Sequence, residues 1–326
     1  MTRFSRYRQV LRSLRERGYV FMPFSEFIEK RDELPRKTVV IRYDVHHRDI
    51  RNTHPMLEIE RQELGRVASS VFVMWRLKGD EAYELNWERE HERDYVELIV
   101  QLLSNGVDVQ PHVSPINEYL HRYDPSWRSI GEKQLGKRFL KNYRQRMLDE
   151  GCEIEVVGDD FLSLSQFNEG IATLLGEYNE AWKQAFGSTV EGYSSHGNHI
   201  ALNRILNNGI VLNQTSLLEK GLYRYETYGS LVRNRLDFYS DCSTPVWMFE
   251  PERIRSNRLQ LLCHPDLWDD ERLDKAWLEE NRTGIERGYL SYPYLAPIDV
   301  VTNLSDFLES GEEINEYNER RKSCRF

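Results

Sequence analysis

Short apolar runs that end in acids and imidazoles constrain this chain more than any other feature. Val39-Val40-Ile41 leads into Arg42-Tyr43-Asp44-Val45-His46-His47, and Val107-Asp108-Val109 leads into His112. Leu259-Gln260-Leu261-Leu262-Cys263 ends at His264-Pro265. Such runs read as buried strands. In parallel α/β proteins, ligands and catalytic groups gather at the carboxyl ends of strands. The pattern predicts one pocket assembled from three distant segments.

The intervening sequence supplies the helices that a parallel sheet needs. Residues 3–17 carry Val10, Leu11 and Leu14 on one helical face, Gly18 stops them, and 18–21 turns into a strand. A strand over 38–43 follows. Pro55 is expected to start a helix with Met56, Leu57, Ile59 and Leu64 inward and Gly65 as its end. Strands are predicted over 68–75, 107–112, 189–195 and 210–212, with helices over 95–103, 167–186 and 203–206. This alternation argues for right-handed βαβ units and a parallel sheet or barrel. The charged helical stretch around 134–148 reads as an insertion over the site or as a long solvated helix. No repeat or Gly/Ser linker divides the chain, so residues 1–326 are read as a single domain whose charged tail after residue 309 frays.

Composition excludes several functions. Forty per cent hydrophobic, 30% charged and 12% aromatic residues describe a globular chain. A net charge of −9 offers no broad basic field for a phosphate backbone, so nucleic acid is excluded as a partner. No apolar run approaches the roughly 20 residues that span a bilayer, and none of signal-peptide length follows the basic start. A cytoplasmic location is therefore expected. Cys152, Cys242, Cys263 and Cys324 lack metal-knuckle spacing and read as reduced thiols. The 18 Tyr and 7 Trp could line a sugar cleft or fill an ordinary core.

The order of these segments resembles the polysaccharide deacetylase superfamily, in particular its bacterial branch with an Arg-His-Asp-Val-Asp motif. That motif reads Arg42-Tyr43-Asp44-Val45-His46 here, followed by the Met56-Leu57-Glu58-Ile59-Glu60 helix and the Ser69-Ser70-Val71-Phe72-Val73 strand. Gly106 to His112 looks like the family's Gly-His-Glu-Ile-Gly-x-His. Gly192 to Gly197 falls where the family has an Arg-Pro-Pro-Tyr-Gly type of loop. Asp237 to Ser243, with Trp247, resembles its Ser-Asp-Ser turn and following Trp, and Leu261 to Trp268 its His-Pro-x-x-Trp motif.

The resemblance implies a distorted (β/α) barrel of about seven strands with helical insertions. It also implies a divalent metal, zinc foremost, and hydrolysis of the N-acyl group, usually acetyl, of an amino sugar. The substrate would be a surface polysaccharide or its nucleotide- or lipid-linked precursor. Carried over by position, Asp44 becomes the general base, His264 the general acid, and His46 and His112 metal ligands. His46 replaces the family's metal-binding Asp, and Ile116 stands where its second ligand His belongs. That leaves His196, His199 or His47 to complete the centre, with His196 first. The family's base-orienting Arg falls at Tyr193, and Arg42 is placed to orient the base in its stead. Arg42, Tyr193, Asp241 and Trp268 are the substrate-binding candidates. Two alternatives stand beside this: a metal-independent amide or ureide hydrolase, and an inactive glycan-binding barrel. Homo-oligomer formation is left open.

Overall fold

The Thr38–Val45 strand organises the molecule, because three other strands pair with it. The computed structural model describes residues 3–75, 92–115, 164–196, 215–241 and 254–268, with residues 118, 119, 122, 212 and 251. Among these, α1 (Arg3–Glu16), β1 (Val20–Met22), α2 (Phe24–Glu29) and β2 (Thr38–Val45) come first. A 3-10 turn (His47–Asp49) leads into α3 (Ile50–Leu64) and β3 (Ser69–Val73). Then come α4 (Glu92–Ser104), β4 (Asp108–Val113), α5 (Leu164–Phe186) and β5 (Gly192–Ser195). The last are α6 (Thr215–Glu219), β6 (Tyr225–Glu226), α7 (Ser230–Arg233), β7 (Asp237–Ser240), β8 (Arg258–Cys263) and a 3-10 turn (Pro265–Trp268).

All the pairings are parallel, in the order β6-β5-β4-β3-β2-β8-β7. On one edge of β2, β1 pairs with Thr38 to Val40 and β3 with Ile41 to Val45, while β8 takes the other edge. Parallel strands joined by helices put all their carboxyl ends on one side. Asp44, His112, Ser194, Ser240 and Cys263 therefore sit at the same rim.

Every residue of β2 is buried, and its alternation sorts it into two environments. Val39, Ile41, Tyr43 and Val45 pack outward against Tyr7, Val10, Leu11 and Leu14 of α1 and Met56 and Leu57 of α3. Val40 faces inward with Phe72, Phe24, Met22 and Tyr225, forming a small second core that fills the amino-terminal end of the curled sheet. Phe24 stacks on Tyr225 with centroids 5.2 Å apart. Above this plug the inward positions turn polar: Arg42 and Asp44 from β2, His112 from β4 and Ser194 from β5. Buried polar groups need partners, and they find them in one another.

The helices end where glycine allows it. Gly18 and Gly65 take φ of 82° and 77° after α1 and α3, a left-handed conformation that side chains resist. Helix α3 begins at Ile50, not at Pro55, because the turn before it supplies the start. Pro55 lies inside the helix and removes one backbone donor.

The expected barrel is only partly realised. The seven-strand path curls into an open half-barrel, and β6 and β7, its two ends, are not paired with each other among the described residues. Two-residue β6 offers few backbone groups for closure. Side chains span the gap instead: Tyr228 meets Phe238 edge to face at 5.1 Å, and the Arg42 guanidinium lies 4.3 Å from the Tyr228 ring centre. The expected insertion at 134–148, the helix at 203–206 and the tail after 309 lie outside the described residues, as does the expected strand at 210–212 except for Leu212. Among the described residues no helix is long and apolar enough to cross a membrane.

Candidate metal centre

Three histidines from three different strand ends converge. His46 follows β2, His112 lies in β4 and His196 follows β5, and one ligand atom from each lies within 4.8 Å of the other two. Their ring centroids form a nearly equilateral triangle with sides of 5.2, 5.1 and 5.1 Å. The backbone sets this up: His112 pairs with Ser194 across β4 and β5, and the His196 N–H donates to the Val113 carbonyl at 2.8 Å.

Each ring is gripped through Nδ1. His112 Nδ1 lies 3.0 Å from the Ser194 carbonyl oxygen and 3.1 Å from its hydroxyl. A carbonyl only accepts, so that contact puts the proton on Nδ1 and leaves the Nε2 lone pair for an ion. His46 Nδ1 lies 3.2 Å from Asp49 Oδ2, and His196 Nδ1 lies 3.2 Å from Ser114 Oγ. The Asp49 backbone N–H also approaches the His46 side chain. That N–H already donates to the His46 carbonyl at 2.9 Å, so the carboxylate is the better partner for Nδ1.

The donor set fits a divalent transition ion. Burial foremost holds the His112 pKa down to about 3, with Asp44 pulling the other way and His46, Arg42 and His264 adding to the depression. His112 is therefore neutral at pH 7, as a metal ligand must be. Three nitrogens bound to one tetrahedral ion at 2.0–2.1 Å would lie about 3.3 Å apart. The present triangle needs only a modest contraction. Three imidazoles suit zinc and its first-row neighbours.

A fourth histidine completes the rim. His264, just after β8, stacks parallel to His46 with centroids 5.8 Å apart and planes 1° from parallel. Its Nδ1 lies 2.8 Å from Asp241 Oδ1, and its backbone N–H donates to Asp241 Oδ2 at 2.5 Å. Trp268 Nε1 donates to the same Oδ2 at 3.0 Å. Asp241 can thus hold the His264 proton on Nδ1, with Nε2 on the opposite side of the ring.

Asp44 sits below the triangle and is fully engaged. Arg42 grips it from the same strand face, Nε to Oδ1 at 2.9 Å and Nη2 to Oδ2 at 2.7 Å. Ser194 Oγ lies 3.0 and 3.1 Å from the two oxygens. Arg42 is in turn held by Thr227 Oγ1 at 2.5 Å and Tyr228 Oη at 2.7 Å. Burial would raise the Asp44 pKa, but Arg42, His112 and His264 outweigh it and hold the carboxyl well below the usual range.

The remaining candidates fall elsewhere. Tyr193 alternates outward from Gly192 and Ser194, hydrogen-bonds Asn179 and packs between Tyr178 and Tyr223. Trp268 is buried against Tyr7 at 5.1 Å, and Asp241 is occupied by His264 and Trp268. His47 pairs with Asp94 at 3.3 Å. His199, Ile116 and Trp247 lie outside the described residues. Sequence reasoning missed Asp49, Ser114 and the role of Ser194. For Asp49 a signal existed: an acid three residues after a polar residue at a helix entry, the spacing of a capping box.

Compared with known proteins, the chain matches no family model, no curated protein and no solved structure.

Proposed function

We propose that this protein is a divalent-metal-dependent hydrolase that removes an N-acyl group, acetyl first, from an amino sugar. The observation that carries the proposal is the convergence of His46, His112 and His196 beside the His264–Asp241 pair. A trio of imidazoles next to a carboxylate-backed imidazole is an arrangement suited to hydrolysis. The sugar and the acyl group come from the motif order, of which Asp44, His46, His112 and His264 stand at this rim.

An ion held by the three imidazoles would supply Lewis acidity to a carbonyl oxygen and to attacking water. The protein's own residues handle the protons. With Nδ1–H on Asp241, the His264 Nε2 can take a proton from water as the new O–C bond forms. It can then deliver that proton to the nitrogen as the C–N bond breaks, leaving a carboxylic acid and an amine. Asp241 keeps the tautomer and stabilises the imidazolium between the two steps, as in other carboxylate–histidine pairs.

Asp44 suits the base role less well than the motif implies. Arg42 and Ser194 engage both of its oxygens, and a carboxylate with so low a pKa is a weak proton acceptor. Its place is better described as the anchor that carries charge to Ser194 and, through it, to His112.

Metal analysis of protein purified without added ion, with acetate release from N-acetylglucosamine oligosaccharides, tests the proposal. About one equivalent of a zinc-like ion and acetate release abolished by chelation and restored by that ion are expected. Metal-free protein, or release indifferent to chelation, would overturn it.

A further inference from the structure

Asp49 is almost completely buried, 1% exposed, yet its carboxylate meets two backbone N–H groups and a ring nitrogen from two different loops. Oδ2 accepts the His46 backbone N–H at 2.9 Å and faces His46 Nδ1 at 3.2 Å. Oδ1 accepts the Asp266 backbone N–H at 2.6 Å, two residues after His264. The same residue's carbonyl accepts Thr53 Oγ1 at 2.9 Å. Nearby, Asn52 Nδ2 donates to the Pro265 carbonyl at 3.2 Å. The turn after β2 and the first turn of α3 are thus each bolted to the turn after β8, and of these two bolts Asp49 is the one that also touches a ring of the histidine triangle.

We propose that Asp49 is a positioning residue that acts in two directions. It orients His46 to bind the metal through Nε2, and it pins the loop that sets His264 parallel to that ring. This rests on the metal reading of the site. A carboxylate backing a ligand imidazole fixes both its tautomer and its direction. Here the second oxygen extends that control to the neighbouring loop, so one side chain sets the spacing between the metal ligand and the proton-carrying histidine.

The test uses the full chain and Zn2+ alone as probe. In Asp49→Asn the amide has one accepting oxygen and must turn its NH2 toward one of the N–H donors, so one side of the bolt becomes repulsive. Zn2+ binding, measured by competition with a chromophoric chelator, should weaken by about 10–100-fold, and the Asp266 amide should exchange faster. Asn52→Ala, which loosens the same loops without touching His46, should lower the melting temperature and leave Zn2+ affinity unchanged. In ion-free wild-type protein, 15N spectra of the His46 ring should show a protonated Nδ1 and a bare Nε2. Wild-type affinity in Asp49→Asn, an equal loss in Asn52→Ala, or the opposite tautomer would each overturn the inference. If Asp49→Asn does not fold, the tautomer still decides. Wild-type protein that takes up no Zn2+ would defeat the metal reading and this inference together, whereas unaffected Zn2+ binding in the variant defeats only the inference.

Discussion

Arg42 and Asp44, two residues apart on one strand, form a two-pronged ion pair whose side chains are 0% and 3% exposed. Breaking a buried pair leaves an uncompensated charge, which typically costs about 3–5 kcal/mol. Asp44→Asn should therefore lower the unfolding free energy by about that much in urea titrations, in addition to any loss of activity. The motif alone implies a variant that stays folded and merely loses a base. A variant of unchanged stability would free Asp44 for that base role.

The same pair predicts an acid limit. The folded Asp44 pKa lies below its unfolded value of about 3.9, so its stabilisation is complete above that pH and is withdrawn as pH falls toward the lower folded value. Stability measured from pH 6 down to pH 2 should decline more steeply below about pH 4 in the wild type than in an Arg42→Met, Asp44→Leu double variant. Parallel curves would show that the pair carries no pH-linked stability.

Gly192 is predicted to resist any side chain. A Cβ there would overlap the Tyr225 ring, which is itself stacked on Phe24 and has nowhere to move. Gly192→Ala should cost about 1–3 kcal/mol by overpacking and disturb Ser194, two residues on. Adding Tyr225→Leu should recover much of the loss. A single variant as stable as wild type would mean that the amino-terminal plug is softer than its packing implies.

What is legible in the sequence follows the physics of each signal. The strands over 38–45, 69–73 and 258–263 can be read because burial on both faces calls for short apolar runs, here Val39-Val40-Ile41, Val71-Phe72-Val73 and Leu261-Leu262-Cys263. His46 and His264 stand out because they follow two of those strands, His112 because it comes soon after Val107-Asp108-Val109, and His196 because it follows Ser194-Ser195. Pro55 misplaces the start of α3 because it is a stronger local signal than the capping-box spacing of His46 and Asp49, and the second Asp49 contact, to Asp266, lies in a distant loop that no local rule encodes. Tyr193 is ambiguous for a related reason. An aromatic at a strand end faces pocket or helix according to one residue of register. That β6 and β7 are left unpaired with each other among the described residues is invisible in the sequence, since strand closure is a property of pairing rather than of local pattern.

His264 should reveal itself by leaving-group dependence. General-acid help matters most when the departing group is poor. His264→Ala is expected to slow hydrolysis of an unactivated sugar acetamide, which loses both base and acid, by about 10²–10⁴-fold and to slow an activated aryl ester, which loses the base alone, by less. Asp241→Asn should repeat the pattern more mildly, because Nδ1 loses its carboxylate partner at 2.8 Å. Equal losses on both substrates would leave His264 the base role and pass protonation of the leaving nitrogen to another group.

The histidine triangle makes the sharpest demand. His46, His112 and His196 supply three ligand atoms within 4.8 Å of one another, and His264 is excluded from that set although it stacks on His46. Binding to the folded state alone stabilises it by mass action, about 2.7 kcal/mol when free ion stands at a hundred times its Kd. Zn2+ should accordingly raise the melting temperature of the wild-type protein and of His264→Ala by similar amounts. In His46→Ala, His112→Ala and His196→Ala the rise should be largely lost, because two ligands hold the ion far less tightly than three. His112 provides an internal check: its ring is buried and hydrogen-bonded to Ser194, so its removal should also lower the melting temperature of the ion-free protein, whereas half-buried His196 should be nearly silent there. If His264→Ala loses the response and His196→Ala keeps it, the ion sits between His46, His112 and His264, and the proton must be carried by another group.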